Sequence, residues 1–165
     1  MFGRSKAPHN LLWELRGELL NNPFQEAASL VAPGTSVWGV LMETGYPQGP
    51  VTLLTIGDGT ASLYFPTGGG VLGSGANADV RAAGTLLLIT AHAMKSALSP
   101  AQSTDFPGRG RVRFFVLTVS GVLTADDEQS LGRGSGPLST IFHAGQAVIA
   151  QIRIASQQGG QETGK

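Results

Sequence analysis

The run V-T-L-L-T-I-G-D-G-T-A-S-L-Y-F-P, Val51 to Pro66, decides how this chain folds. Two apolar-rich segments, Val51–Ile56 and Ala61–Phe65, flank Gly57-Asp58-Gly59-Thr60, and an Asp-Gly pair supplies the positive φ angles that a tight hairpin requires. The run therefore predicts two antiparallel strands. Pro66 cannot donate to a strand ladder, and glycines at 68, 69, 70, 73 and 75 then carry the chain away from the sheet toward a helix.

Upstream of the hairpin, Val37–Glu43 predicts a strand that is apolar on both sides, with Trp38, Val40 and Met42 on one face and Val37 and Leu41 on the other. Leu11–Leu20 has helical spacing of leucines, with Asn10 as the expected cap and Asn21-Asn22-Pro23 as the stop. Phe24–Val31 allows one more short helical turn. Downstream, Asn77 is placed to cap a helix over about Ala78–Ala97 whose apolar residues include Leu86, Leu88 and Ile89. That breadth predicts a deeply buried helix. Val112–Val119 is a second strand apolar on both faces, through Val112, Phe114 and Val116 against Phe115, Leu117 and Val119. Val122–Asp127 returns beside it, and Pro137 opens a last helix with Leu138, Ile141, Val148 and Ile152 in its stripe.

The expected class is α+β: a two-layer sandwich of order α-β-β-β-α-β-β-α with a mainly antiparallel five-stranded sheet, occupying residues 10–155 as one domain between a flexible tail at 1–9 and a disordered tail at 156–165. This order is similar to that of the bacterial secretion-chaperone-like fold. The resemblance implies a protein that dimerises and binds other proteins. The segments V-W-G-V-L-M-E-T-G-Y (37–46), S-L-Y-F-P-T-G-G-G-V-L-G-S-G (62–75) and A-G-Q-A-V-I-A-Q-I-R (144–153) also resemble a bacterial family of no assigned activity.

Composition narrows the function. With 11 basic and 11 acidic residues the formal charge is zero, so neither nucleic acid nor an anionic membrane is an expected partner. There are no cysteines, which excludes disulfides, thiolate metal sites and cysteine nucleophiles. The polar, basic N-terminus and the charges within Leu11–Leu20 do not suggest a signal peptide or a membrane span, and a cytoplasmic protein is expected.

Familiar chemistries fail on spacing. Gly68, Gly70 and Gly73 match a G-x-G-x-x-G dinucleotide loop, but the preceding strand belongs to a hairpin and no acidic residue closes a following parallel strand. Ser74 stands where a phosphate-binding loop needs lysine. Ile56-Gly57-Asp58 is similar to the first motif of haloacid-dehalogenase-like phosphatases but has isoleucine where the nucleophilic aspartate belongs, so Asp58 reads as a turn residue. His9, His92 and His143 lack the i, i+4 spacing of paired helical ligands, and no metal or cofactor is expected.

Arg109, Arg111 and Arg113 have the two-residue period that puts side chains on one side of an extended segment. They provide, with the glycine loop Gly68–Gly75, a candidate site for a small anionic ligand or for an unrecognised enzyme. The leading expectation is different: a non-enzymatic interaction protein, pairing with itself or with another protein. Its two doubly apolar strands outrun the cover that three helices give, and the expected interface is Trp38, Val40, Met42, Phe115 and Leu117.

Overall fold

In the computed structural model the structure describes residues 7–21, 27–71, 76–128, 132 and 134–162. The elements are α1 (Ala7–Asn21), β1 (Val37–Tyr46), β2 (Gly49–Ile56), β3 (Ala61–Tyr64), β4 (Gly70–Val71), α2 (Ala78–Ala93), β5 (Ser99–Pro100), β6 (Arg111–Thr118), β7 (Gly121–Glu128) and α3 (Pro137–Glu162). The class is α+β, but among the described residues the strands number seven rather than five. They form a single sheet of order β4-β3-β2-β1-β6-β7-β5, and every neighbouring pair is antiparallel. The two additional strands are two residues long and close the two edges.

The hairpin at Val51–Pro66 forms as its turn chemistry dictates. Gly59 has φ +95°, the Thr60 N–H donates to Asp58 Oδ1 at 2.8 Å, and the Ile56 N–H donates to the Thr60 carbonyl at 2.9 Å. Asp58 is thus a turn residue. The hairpin before it is tighter than its sequence predicts. β1 and β2 stay paired out to Tyr46 opposite Gly49, which leaves Pro47-Gln48 as a two-residue loop. From edge strand β4 the chain crosses one face through α2 to the opposite edge at β5, then returns through β6, which pairs with β1 at the centre of the sheet. Asn77 caps α2 as expected, its side-chain oxygen accepting from the N–H groups of Asp79 and Val80. The helix ends at Ala93 and continues as a 3-10 turn over Lys95–Ala97.

Both faces of the sheet are covered by helices, which corrects the two-layer expectation. On one face Val40, Met42, Leu53, Phe114 and Val116 pack against Val80, Leu87 and Leu88 of α2 and Ile141, Val148 and Ile152 of α3. On the other, Trp38, Leu41, Leu54, Tyr64, Phe115 and Leu117 lie with Leu15, Leu19 and Leu20 of α1, with the turn at Ala27–Ser29 and Leu30-Val31 behind it, and with Ala101. Fully burying each such side chain contributes about 1.5–3 kcal/mol, so closing the second face removes most of the energetic reason to pair the sheet with another.

The expected interface is therefore corrected as well. Trp38, Val40, Met42, Phe115 and Leu117 are all buried within the chain, none more than 3% exposed. They do not share a face either. The pairing of β1 with β6 shifts register between Val37 and Gly39, so a β-bulge turns Trp38 to the α1 side while Val40 and Met42 face α2 and α3.

The ends of the domain extend further than expected. α1 begins at Ala7, placing Asn10 inside its first turn instead of at its cap, and α3 runs on to Glu162 through residues read as a tail.

Candidate functional site

The polar centre of the molecule lies under α1. Glu43 interrupts an apolar strand in the middle of the sheet and is fully buried. Its two oxygens are held by Arg16 of α1: Nε donates to Oε2 at 2.9 Å and Nη2 to Oε1 at 2.8 Å, the bidentate geometry in which guanidinium and carboxylate match best. The Thr52 hydroxyl of β2 gives Oε2 a third hydrogen bond at 3.0 Å. Arg16 is itself only 6% exposed, and its guanidinium lies 3.8 Å from the centre of the Phe106 ring and 5.4 Å from that of Phe115. Trp13 meets the same Phe106 ring edge-on at 4.8 Å. The loop bearing Phe106 is fixed to the sheet by the Gly110 N–H, which donates to the Gly45 carbonyl at 2.8 Å.

Such a pair holds α1 in one position. Both carboxylate oxygens of Glu43 are engaged in it. Sequence reasoning missed the pair because its members stand 27 residues apart. The available signal was a lone glutamate in an otherwise apolar central strand.

The arginine row is partly assembled. Arg111 and Arg113 share the α1 side of β6, but Arg109 precedes the strand in an exposed turn. Both strand arginines are already committed. Arg111 Nε lies 2.9 Å from Asp126 Oδ2 on β7, and Arg113 donates to the Asp105 carbonyl at 2.6 Å with Nη2 at 4.0 Å from the same Asp126 oxygen. Asp126 is the cross-strand partner of Arg113, so this acidic strand end balances the charge of the arginines.

The glycine loop lies elsewhere. Gly68, with φ +91°, turns β3 into β4, and Gly70 pairs with Tyr64 at the sheet edge. Four strand spacings separate β4 from β6, about 19 Å at ~4.8 Å each, so loop and arginines do not converge on one ligand. Gly73 lies outside the described residues.

A cleft of about 600 Å3 opens beside the α1 C-terminus, floored by Leu20, Ala27, Trp38 and Leu117. Three of its polar side chains are engaged locally: Asn21 Nδ2 with the Gly17 carbonyl, Ser103 Oγ with the Asp105 N–H, and Thr118 Oγ1 with the Gly121 carbonyl. His92 Nδ1 accepts from the Ser36 N–H at 3.3 Å, and His143 is exposed against Phe142. Among the described residues no group of three His, Cys, Asp or Glu side chains is arranged to hold a metal ion. None of their helices is long and apolar enough to cross a membrane.

Burial also perturbs Tyr64, whose hydroxyl is pushed above the usual phenol value of about 10, with a Ser62 hydrogen bond opposing the shift. Folding thus favours the neutral phenol. Its contribution is complete below pH ~10 and is lost as pH climbs through the folded value, because the unfolded chain releases the proton first. Urea denaturation at stepped alkaline pH should show wild-type stability falling by up to about 1.4 kcal/mol per pH unit more steeply than that of Tyr64→Phe. Parallel curves would mean that Tyr64 is hydrated in the fold.

The clearest unpartnered surface is on the outside of α2. Leu87, Leu88 and Ala91 point inward, but Leu86 is 58% and Ile89 39% exposed, which corrects the reading of the whole apolar breadth as buried. Exposed Ala82 and Ala93 extend the pair into a strip at spacings of four, three and four residues. That is the spacing of a helix–helix seam.

Compared with known protein families, curated proteins and solved structures, the chain matches none.

Proposed function

We propose that this protein is a non-enzymatic protein–protein interaction module that pairs with a second copy of itself through the outer face of α2. The observation that carries the proposal is the uncharged strip Ala82, Leu86, Ile89 and Ala93, with two large aliphatic side chains in water on the side of the helix away from buried Val80, Gly84, Leu87, Leu88 and Ala91. Exposed Ile or Leu on its own is ordinary; a contiguous strip with seam spacing is not.

Its chemistry selects a like partner. The strip carries no charge, so a second copy meets no repulsion, and the zero net charge of the chain opposes association only weakly. Two α2 helices crossing antiparallel about a two-fold axis that passes between Leu86 and Ile89 bring both side chains of one protomer against the same two of its partner. The same arrangement sets Asp79, in the first turn, near Lys95, just past the helix end. An interface of this kind is self-complementary in both shape and sign. The engaged state of Glu43, Arg111 and Arg113 supports the non-enzymatic part of the reading, since the two charged clusters they form are internally paired.

Light scattering at micromolar concentration tests it. The wild-type chain should scatter as a dimer, and Leu86→Glu/Ile89→Glu should scatter as the 17.0 kDa monomer with an unchanged far-UV spectrum. A wild-type monomer across the accessible concentration range would refute pairing.

A further inference from the structure

α3 and the end of the β1–β2 hairpin diverge, and the space between them is a cavity of about 120 Å3 on the face of the sheet that α2 and α3 cover. Its inner wall is hydrocarbon. Met42, Leu53 and Leu63 from the sheet and Ile149 from α3 are at most 9% exposed, yet they leave unfilled space where dispersion contacts would otherwise form. Its mouth is polar and is built from two elements. Gln146 and Arg153 stand three residues before and four residues after Ile149, which puts all three on one side of α3. Thr44 and Tyr46 stand two apart and so share one side of β1.

The signs at this mouth are unbalanced. No acidic residue lines the cavity, and Arg153 makes no ion pair with any residue whose side chain is described. Above the hydrocarbon wall, the exposed guanidinium of Arg153 is the one charged group among the described residues that line the cavity. Elsewhere in the molecule Arg16 of α1 is matched by Glu43, and Arg111 of β6 by Asp126.

The geometry points to a binding site for a small monocarboxylate with a short apolar tail. The tail fills the space against Met42, Leu53 and Ile149, and the carboxylate sits at the mouth, where it accepts hydrogen bonds from the Arg153 guanidinium, with the Tyr46 hydroxyl and the Gln146 amide as further donors. An amine of the same shape meets only like charge there. An alcohol keeps the apolar contact and loses the charge-assisted bond. This site is separate from the outer strip of α2, and it stands or falls independently of self-pairing.

Titration of isotope-labelled protein with sodium butyrate, followed by NMR, tests it, with n-butanol and n-butylamine as controls. Butyrate should shift the methyl resonances of Met42, Leu53 and Ile149 and the side-chain amide of Gln146 along a saturating curve, and both controls should bind at least about tenfold more weakly. Arg153 is exposed, so Arg153→Gln keeps the fold; it should weaken butyrate about tenfold or more while leaving butanol unchanged. Val51→Phe, which fills the cavity from its half-buried wall, should abolish the butyrate shifts. Absence of butyrate shifts at these residues, equal affinity for butanol, or undiminished butyrate binding by Arg153→Gln would overturn the assignment.

Discussion

Arg16→Met will lower the unfolding free energy by about 3–5 kcal/mol, a large part of the ~5–15 kcal/mol by which native domains are stable. The loss is larger than the worth of one ion pair because of what stays behind. Glu43 has no exposure and only Thr52 as a remaining donor, so deleting the guanidinium leaves a carboxylate in a nearly dry place. Methionine also gives up the guanidinium's place over the Phe106 and Phe115 rings, so the loss combines the stranded carboxylate with that contact. Removing both charges should reverse most of the damage: Arg16→Met/Glu43→Met is expected within about 1–2 kcal/mol of wild type, since buried pairs replaced by hydrocarbon of similar volume are often neutral. Urea titration of the two single variants and the double closes the cycle. Equal, small losses in both single variants would mean that water reaches Glu43 and that α1 does not seal the second face.

The second large effect is expected at Gly57, at the start of the turn in the deciding hairpin. Its N–H donates to the Trp38 carbonyl at 2.9 Å, and the Leu30 carbonyl crosses directly over its Cα, so that a β-carbon there would collide with the backbone of Leu30. Backbone cannot give way as a flexible side chain can. Gly57→Ala must therefore push Leu30 and the Ala27–Ser29 turn off the sheet, opening the cover over Trp38. Overpacking of this kind costs about 1–3 kcal/mol or more. In contrast, Gly108→Ala meets nothing within 4 Å and should change stability by no more than about 0.5 kcal/mol. Denaturation midpoints for the two variants measure the difference, and similar midpoints would contradict the close approach at Leu30.

Much of the fold was legible because its signals are local. Asp58-Gly59 fixes a turn by its own backbone preferences, Asn77 caps the helix that follows it, and Pro137 marks the start of α3. What escaped depends on partners distant in sequence. β4 and β5 are two residues long, too short for a period of two to register, and they exist only because a neighbouring strand offers its edge. The bulge at Val37–Gly39 inverts Trp38 relative to Val40, and nothing in V-W-G-V announces it before β6 pairs alongside. Along L-L-L-I at 86–89 every side of the helix is apolar, so composition alone leaves open which two of the four side chains meet water. At the candidate sites, three alternating arginines signalled a common face but could not show that Asp126 stands across from Arg113. The glycine loop could not show that four strand spacings separate it from them. Arg16 is one of the charges within Leu11–Leu20, and only the tertiary fold could bring Glu43 to it.

Disulfide trapping addresses self-pairing through α2 most directly, because the chain has no cysteine and any disulfide formed by a single-cysteine variant must join two protomers. Leu86→Cys, in the strip, and Val119→Cys, 54% exposed at the β6–β7 turn, are oxidised side by side under dilute conditions. Leu86→Cys is predicted to convert to a covalent dimer while Val119→Cys stays largely monomeric. Crosslinking of Leu86→Cys no faster than that of Val119→Cys would contradict pairing through this face.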